Sequence, residues 1–285
     1  MQDNLKQKIK RYWNENPLLS HEINHLKKGS KEVYDQIELI KRSDVERFSL
    51  DFWEFDQHPH ERVLDIGCGT GFLVRNYARG KSKIIGIDLS QKSARLTYKS
   101  LKIYNLPGTI LIADAEHLPF KDNSFDFISS SGVLHHTPDT SKTFQELYRV
   151  LKNQKEAVIS LYYKNILLKK KFFPITQKLM SLLNISPPGR LSMKKIKNSD
   201  EFIRTYDGDR NPLGKGYSFK EVQKLVSNFK ILKKEIHFFP LRFMPFKRYT
   251  PFFLHKILDR FLGTMIYIKL KKQQEGDPSA LRASG

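Results

Sequence analysis

The apolar positions change rhythm about sixty residues into the chain. Before that point they recur at helical spacing. After Ser30, the residues Val33, Ile37, Ile40, Val45, Phe48 and Phe52 follow at three- to five-residue steps, which predicts a helix over Lys31–Trp53. From residue 61 short apolar runs alternate with amphipathic stretches. Val63–Ile66, Ile84–Ile87, Ile110–Ala113, Phe125–Ser129 and Ala157–Tyr162 read as strands, and Phe72–Tyr77, Lys92–Tyr104 and Thr143–Leu151 between them as helices. Strand alternating with helix predicts a doubly wound parallel sheet covered on both faces. After Tyr163 the order lapses into basic, proline-punctuated sequence. It resumes with a helix at Phe219–Phe229, a strand near Ile231–Phe239, a helix at Phe252–Leu262 and a last strand near Met265–Leu270.

Charge changes this picture more than composition does. The 39% of hydrophobic residues in 285 suffice for a core. The longest apolar stretches, around Phe172–Leu183 and Phe252–Ile268, are broken by Lys178, Lys256, Asp259 and Arg260, so neither reaches the roughly 18 residues of a membrane span. The first 16 residues hold no apolar block and Cys68 is the single cysteine. These two facts predict no secretory signal, no internal disulfide, no multi-cysteine zinc site and a cytoplasmic location. The net charge is +20, of which residues 1–150 carry only +2 and residues 151–285 carry +18. Ala157–Ser199 has nine basic residues and no acid, and Ile236–Leu258 has four basic residues, no acid and seven Phe or Tyr. Such runs are either solvated faces of a lysine-rich chain or a surface for something anionic, such as lipid headgroups, an acidic metabolite or RNA.

The densest chemical signal is VLDIGCGTGFL at residues 63–73, an apolar run that ends at Asp65 and is followed by Gly67, Gly69 and Gly71 around Cys68. Glycines at alternate positions let the backbone turn tightly and approach a ligand at the carboxyl end of a first strand. The dinucleotide spacing G-x-G-x-x-G is not met, because Phe72 stands three after Gly69, and the Lys and Ser/Thr of a phosphate-binding P-loop are missing. The second strand ends at Asp88, followed by Leu89; the third ends at Asp114 and Ala115; the fourth lies in NSFDFISSSGVLHHTPD, residues 123–139. In order and spacing this block, over roughly residues 60–160, resembles the class I S-adenosylmethionine-dependent methyltransferases. A helix cap or strand-end hydrogen bond would explain any one of these acids but not four in register.

The resemblance implies an α/β, Rossmann-like doubly wound sheet, mostly parallel with an antiparallel last strand and helices on both faces. Residues 1–60 would form an N-terminal helical lid, 61–163 the cofactor-binding core and 164–217 a basic helical insertion. Residues 218–272 would complete the sheet with a basic-aromatic insertion, both insertions lying on the substrate side, and 273–285 would be a disordered tail. It further implies that Asp65 and the Gly67–Gly71 loop bound the methionine part of S-adenosylmethionine. Asp88 would hold the ribose, Leu89, Asp114 and Ala115 the adenine, and the backbone near Ser131 the sulfonium. Tyr12 and Trp13 would sit on a helix covering the cofactor.

His135 and His136 are the candidate general bases, since a neutral imidazole can take a proton from a hydroxyl as it is methylated; alternatively the pair only shapes the turn after the fourth strand. The fourth-strand tip lacks the Asn/Asp-Pro-Pro-aromatic sequence of amine methyltransferases and any Pro-Cys pair, which favours a small-molecule acceptor, most simply at oxygen, anionic or lipid-linked. RNA methylation through the basic half, and a non-catalytic cofactor-binding or membrane-surface protein, are the alternatives. Phe172, Phe173, Leu179, Met180, Leu182 and Leu183 among lysines suit a peripheral contact with an anionic membrane at the inner face. So do Phe243, Phe246, Tyr249, Phe252 and Phe253 near Arg242, Lys247 and Arg248. Both sets equally suit a lid packed on the core. HEINH at His21–His25 matches H-E-x-x-H, but it lies between Pro17 and Gly29 with no third ligand in view, so chance is the better account and no metal is expected. RYWNENPL, LYYKN at 161–165 and DGDRNPLGKGYSFKEV at 207–222 resemble a bacterial subgroup found mostly among biosynthetic and surface-polysaccharide proteins.

Overall fold

The computed structural model describes residues 2–17, 25–27, 29–182, 196–208, 210–239, 241, 244 and 247–273. Two helices come first, α1 (Gln2–Glu15) and α2 (Lys31–Ile40). The alternating block then gives β1 (Arg62–Ile66), α3 (Phe72–Arg79), β2 (Lys83–Asp88), α4 (Gln91–Ile103), β3 (Thr109–Ile112), β4 (Phe125–Ser131), α5 (Thr140–Val150) and β5 (Leu151–Tyr162). The basic segment contributes α6 (Phe173–Leu182) and α7 (Ser199–Arg204), and the chain returns through α8 (Phe219–Leu225), β6 (Phe229–His237), α9 (Phe252–Leu262) and β7 (Met265–Lys272).

The seven strands form one sheet in the order β3-β2-β1-β4-β5-β7-β6, and only β7 runs against its neighbours. The expected fold class is therefore met, antiparallel last strand included. Side-chain alternation along the strands feeds two cores. On one face Val63, Phe127, Val158 and Tyr267 meet α3 and α4. On the other, Leu64, Ile66, Ile128, Ile159 and Ile268 meet Phe144 and Leu147 of α5 and Val222 of α8. Strand order reverses between β1 and β4, and a crevice opens beyond the carboxyl ends of the strands at such a reversal.

Three expected elements differ most. β5 starts at Leu151, six residues before the expected Ala157. The helix predicted over Lys31–Trp53 ends at Ile40, widens into a π-turn over Lys41–Val45 and finishes as a 3-10 turn over Leu50–Trp53. The wide turn re-phases the faces, so Glu46 points inward and draws donors from Ser49 and Trp53. The helix predicted over Phe219–Phe229 stops at Leu225, because Phe229 is taken into the sheet, where its ring packs against Tyr148. His21–Asn24 of the HEINH motif, Leu183, Arg242, Phe243, Phe246 and residues 274–285 lie outside the described residues. No helix among the described residues is long and apolar enough to cross a membrane.

Candidate functional site

The glycine turn follows from what crowds it. Gly67 sits at φ +81°, and a Cβ there would come within 2.3 Å of Val133. Gly69 (φ +55°) is the opposite case. A Cβ there would meet nothing nearer than 3.9 Å, so the missing side chain leaves room on the cavity side of the loop. Both residues line a cavity of about 210 Å3 beyond the strand ends.

One end of this cavity is built by Gly67, Gly69, Asp88, Leu89, Asp114, Ala115 and Ser131, seven of the residues singled out from the sequence. Asp88 holds the turn in place, accepting from the Gly69 N–H at 2.9 Å and the Ser90 N–H at 2.8 Å. Burial pushes its carboxyl up to about 6 against those two hydrogen bonds. Asp114 accepts from Lys6 at 2.6 Å, as does Glu116 at the same distance. Burial raises the Asp114 carboxyl, but Lys6 and the Glu116 N–H outweigh it and leave it below its ordinary range. Lys6 also supplies the cation for the cluster of Asp114, Glu116 and His117, whose oxygens and nitrogens lie close enough to hold a metal ion.

Five predicted residues stand behind this wall instead of on it. Asp65 is fully buried, accepts from the Ser129 hydroxyl at 2.9 Å, and is pushed up to about 7 by burial, with the charge of Asp88 adding to the effect. Cys68 packs in the core, where burial raises its thiol well above its ordinary value. Gly71 is needed because a Cβ would meet Ser100 at 2.8 Å and Thr97 at 3.0 Å on α4. Tyr12 reaches across to donate to the Asp207 carbonyl at 2.7 Å, while its neighbour Trp13 lines the cavity. His135 is buried against Tyr162, whose N–H it accepts at 3.3 Å; burial first, then His136 and Lys215, lower its pKa well below the usual value.

The other end of the cavity is aromatic and titratable. Tyr162, Tyr206, Phe238, Met265 and Tyr267 line it with His136, Asp207, Lys41 and Glu46. His136 Nδ1 lies 2.6 Å from the Leu213 carbonyl, which can only accept, so Nδ1 carries a proton. Its Nε2 lies 3.2 Å from Asp207 Oδ2, itself the acceptor of the Tyr162 hydroxyl at 2.5 Å. His136 Nε2 is covered from solvent, whereas the Asp207 carboxylate belongs to the cavity wall. Glu46 is wholly buried, accepting from Tyr267 at 2.8 Å, Ser49 at 2.8 Å and Trp53 at 3.0 Å, with Lys41 at 3.4 Å. Burial raises its carboxyl, yet Lys41 and the three donors outweigh burial and keep it below the ordinary range.

Sequence reasoning did not single out Glu46, Lys41, Asp207 or Tyr267. Asp207 and Tyr162 did fall inside segments noted for a subgroup likeness, and Glu46 is an acid one residue past Val45 in an otherwise apolar stripe. The helix α1 closes the site from above. Lys6, Ile9 and Trp13 line the cavity, Trp13 sets its edge against His136 with ring centres 5.2 Å apart, and Asn14 accepts from the Ser90 hydroxyl at 2.8 Å.

Comparison with known proteins places this site in context. Residues 64–159 match the family described as Methyltransferase domain. Demethylmenaquinone methyltransferase of Lactobacillus johnsonii is 40% identical over 95 residues, which is 32% of this chain and 39% of that protein. The ubiquinone/menaquinone biosynthesis C-methyltransferase of Vibrio cholerae is 32% identical over 126 residues, 42% of this chain and 48% of that protein. The chain thus spans less than half the length of both relatives. Among solved structures, a SAM-dependent methyltransferase from Methanosarcina mazei superposes with a TM-score of 0.53 at 20% identity, covering 80% of this chain and 99% of that one, a likeness of fold.

Proposed function

Residues 64–159 belong to the class I S-adenosylmethionine-dependent methyltransferases, and from that premise we propose that the protein methylates a small, hydroxylated aromatic acceptor. S-adenosylmethionine carries its methyl group on a positive sulfur and so supplies an already activated electrophile. The residues present suit that group. Gly69 leaves space, Asp88 offers carboxylate oxygens to ribose hydroxyls, Leu89 and Ala115 offer small apolar walls to the adenine, and Asp114 offers an acceptor to its edge. Two buried carboxylates, Asp65 and Asp88, lie close enough for burial and their mutual charge to raise Asp65, which Lys41 offsets only in part, so the pair favours a positive ligand.

The observation that carries the acceptor reading is the His136–Asp207 pair beside Tyr162 at the aromatic end of the cavity. Asp207 faces the cavity and accepts a hydrogen bond from the acceptor hydroxyl, and His136 Nε2 behind it takes the proton. The Leu213 carbonyl keeps Nδ1 protonated, so Nε2 is the basic nitrogen. Trp13, Tyr162, Tyr206 and Phe238 stack on or border a planar ring and exclude water. Oxygen is the proposed acceptor atom. The Vibrio cholerae relative is named a C-methyltransferase, and a deprotonated phenol is nucleophilic at oxygen and at ring carbon, so the proton-removing step is common to the two outcomes. RNA is disfavoured because the lining carries four carboxylates, Glu46, Asp88, Asp114 and Asp207, against the two lysines Lys6 and Lys41, and because α1 roofs the cavity.

The test uses purified protein, methyl-labelled S-adenosylmethionine and the producing cell's extract, split into polar-metabolite, lipid and RNA fractions. Label in a metabolite or lipid product is expected. His136→Ala should lower its formation by about 100-fold with cofactor affinity unchanged, as expected for loss of a proton acceptor. Label confined to RNA, or full turnover by His136→Ala, contradicts the reading.

A further inference from the structure

Helix α9 is turned inside out, and α6 also carries an apolar row on its outer face. In α9 the polar residues His255 and Asp259, one helical turn apart, are buried, while Phe253, Ile257 and Phe261 lie along the opposite face at the same spacing, exposed by 65%, 49% and 68%. In α6, Phe173 and Thr176 face inward, and Ile175, Leu179 and Leu182 face outward, Leu182 by 74%. Asp259 has a reason to be inside, since it accepts from the Phe238 N–H at 2.6 Å, the Phe239 N–H at 3.0 Å and His237 at 2.6 Å. Among the described residues nothing gives the outward apolar rows such a reason. Exposed large apolar side chains of this size are unusual when contiguous, and most of those among the described residues fall in residues 166–182 and 249–261.

The turn that leads into α6 is tied to the end of α9. Asn165, at the start of the turn that leads into α6, donates to the carbonyl of Leu262 at the end of α9 at 2.7 Å, and Thr176 of α6 donates back to Leu167 at 2.9 Å. Their rims are positively charged. Lys169, Lys170, Lys171 and Lys178 are exposed around α6, and Lys247, Arg248, Lys256 and Arg260 around α9. The only acid in residues 166–182 and 247–262 is the buried Asp259. Beneath them an aromatic series runs inward from Phe173 through Phe202 and Tyr206 to Phe238, with ring centres 6.1, 6.4 and 5.9 Å apart, and Tyr206 and Phe238 line the acceptor end of the cavity.

We propose that α6 and α9 form a docking surface for an anionic phospholipid bilayer, with Ile175, Leu179, Leu182, Phe253, Ile257 and Phe261 inserted below the headgroups. Apolar rows supply the burial and the basic rim supplies attraction to negative headgroups, a combination that binds interfaces and weakens with salt. A protein partner of ordinary composition would leave eight cations to be matched by acids, which a bilayer does without specific pairing. The surface rests on α6 and α9 alone. That an apolar acceptor enters the cavity from the bilayer rests, in addition, on the function proposed above.

The experiment floats the full chain with vesicles of phosphatidylcholine, either pure or containing about one-third phosphatidylglycerol, at low and high salt. Wild-type protein is expected to float with the anionic vesicles only, and to be released by salt. Phe253→Ser, Ile257→Ser and Phe261→Ser combined should lower partitioning by at least about tenfold, as should Lys169→Glu, Lys170→Glu and Lys171→Glu combined, because both apolar and electrostatic contributions are needed. Thermal melting and S-adenosylmethionine affinity of each variant, expected to match wild type, show that the fold and cofactor site are intact. Wild-type protein that ignores anionic vesicles, or a serine variant that binds them as well as wild type does, overturns the surface while leaving the methyltransferase reading standing. A wild-type dimer that the serine variant dissociates, with no vesicle binding, assigns the face to a second copy and equally overturns it.

Discussion

Glu46 illustrates how a single residue governs the cavity wall. A carboxylate with no exposure remains charged there only because Tyr267, Ser49, Trp53 and Lys41 surround it. Removing one partner of such a group leaves the rest buried and unmatched, which costs about 3 kcal/mol or more. Glu46→Gln keeps the shape and can keep an oxygen toward Tyr267, Ser49 and Trp53, but it turns its NH2 toward the Lys41 ammonium and leaves that cation buried and unmatched, so it is expected to lower the stability of the protein by about 3 kcal/mol in urea unfolding. An unchanged midpoint contradicts the account of Glu46. The residues legible in the sequence were those placed by the ends of strands. Gly67, Gly69, Asp88 and Asp114 sit at strand ends, and strand ends can be counted from apolar runs. Glu46, Asp207 and Tyr267 reach the cavity from segments far apart in the chain, and no spacing in a linear sequence announces that meeting. The same distance explains Tyr12, Asp65 and His135, which belong to the right segments but whose side chains turn to the Asp207 carbonyl, to Ser129 and to Tyr162.

At the scale of elements, α1 is a clamp held at three points. Lys6 pairs with Asp114 and Glu116, Asn14 takes the Ser90 hydroxyl and the Lys92 N–H, and Tyr12 holds the Asp207 backbone. Burial alone would lower the Lys6 ammonium, but Asp114 and Glu116 raise it, so the pairs stay charged at neutral pH. Lys6→Ala is expected to speed amide hydrogen exchange across Gln2–Glu15 by about tenfold, with little change in the sheet, because local opening needs only the contacts of that element to break. Equal exchange in the two proteins contradicts the clamp. The strands and most helices were legible because propensity, apolar period and capping agree. Ser90 and Asp139 cap α4 and α5 through bonds to the N–H groups of Ser93 and Lys142, and α9 was read with both ends correct. The break after Ile40 was not legible, since the apolar stripe continues through it and only the inward pull on Glu46 interrupts the helix.

For the whole molecule, charge decides more than hydrophobic content. The two carboxylates that burial raises most stand together at the cofactor end, with Asp88 pushed up to about 6 and Asp65 to about 7. Both values are raised above the ordinary 3.8, so their protonated forms stabilise the fold below that pH, and the contribution is lost as pH rises through 6 and 7. A positively charged ligand selects the ionised forms, so its binding releases protons and tightens over the same window.

Calorimetric titration of S-adenosylmethionine into wild-type protein and Asp88→Ala, each below and above that window, tests the central claim most directly. The account predicts that wild-type affinity is about tenfold tighter above the window than below it, and that Asp88→Ala binds at least about tenfold more weakly with a shallower pH dependence, the loss expected when charged hydrogen bonds to a ligand disappear. Wild-type protein that takes up no S-adenosylmethionine on either side of the window, or Asp88→Ala that matches wild type, contradicts it.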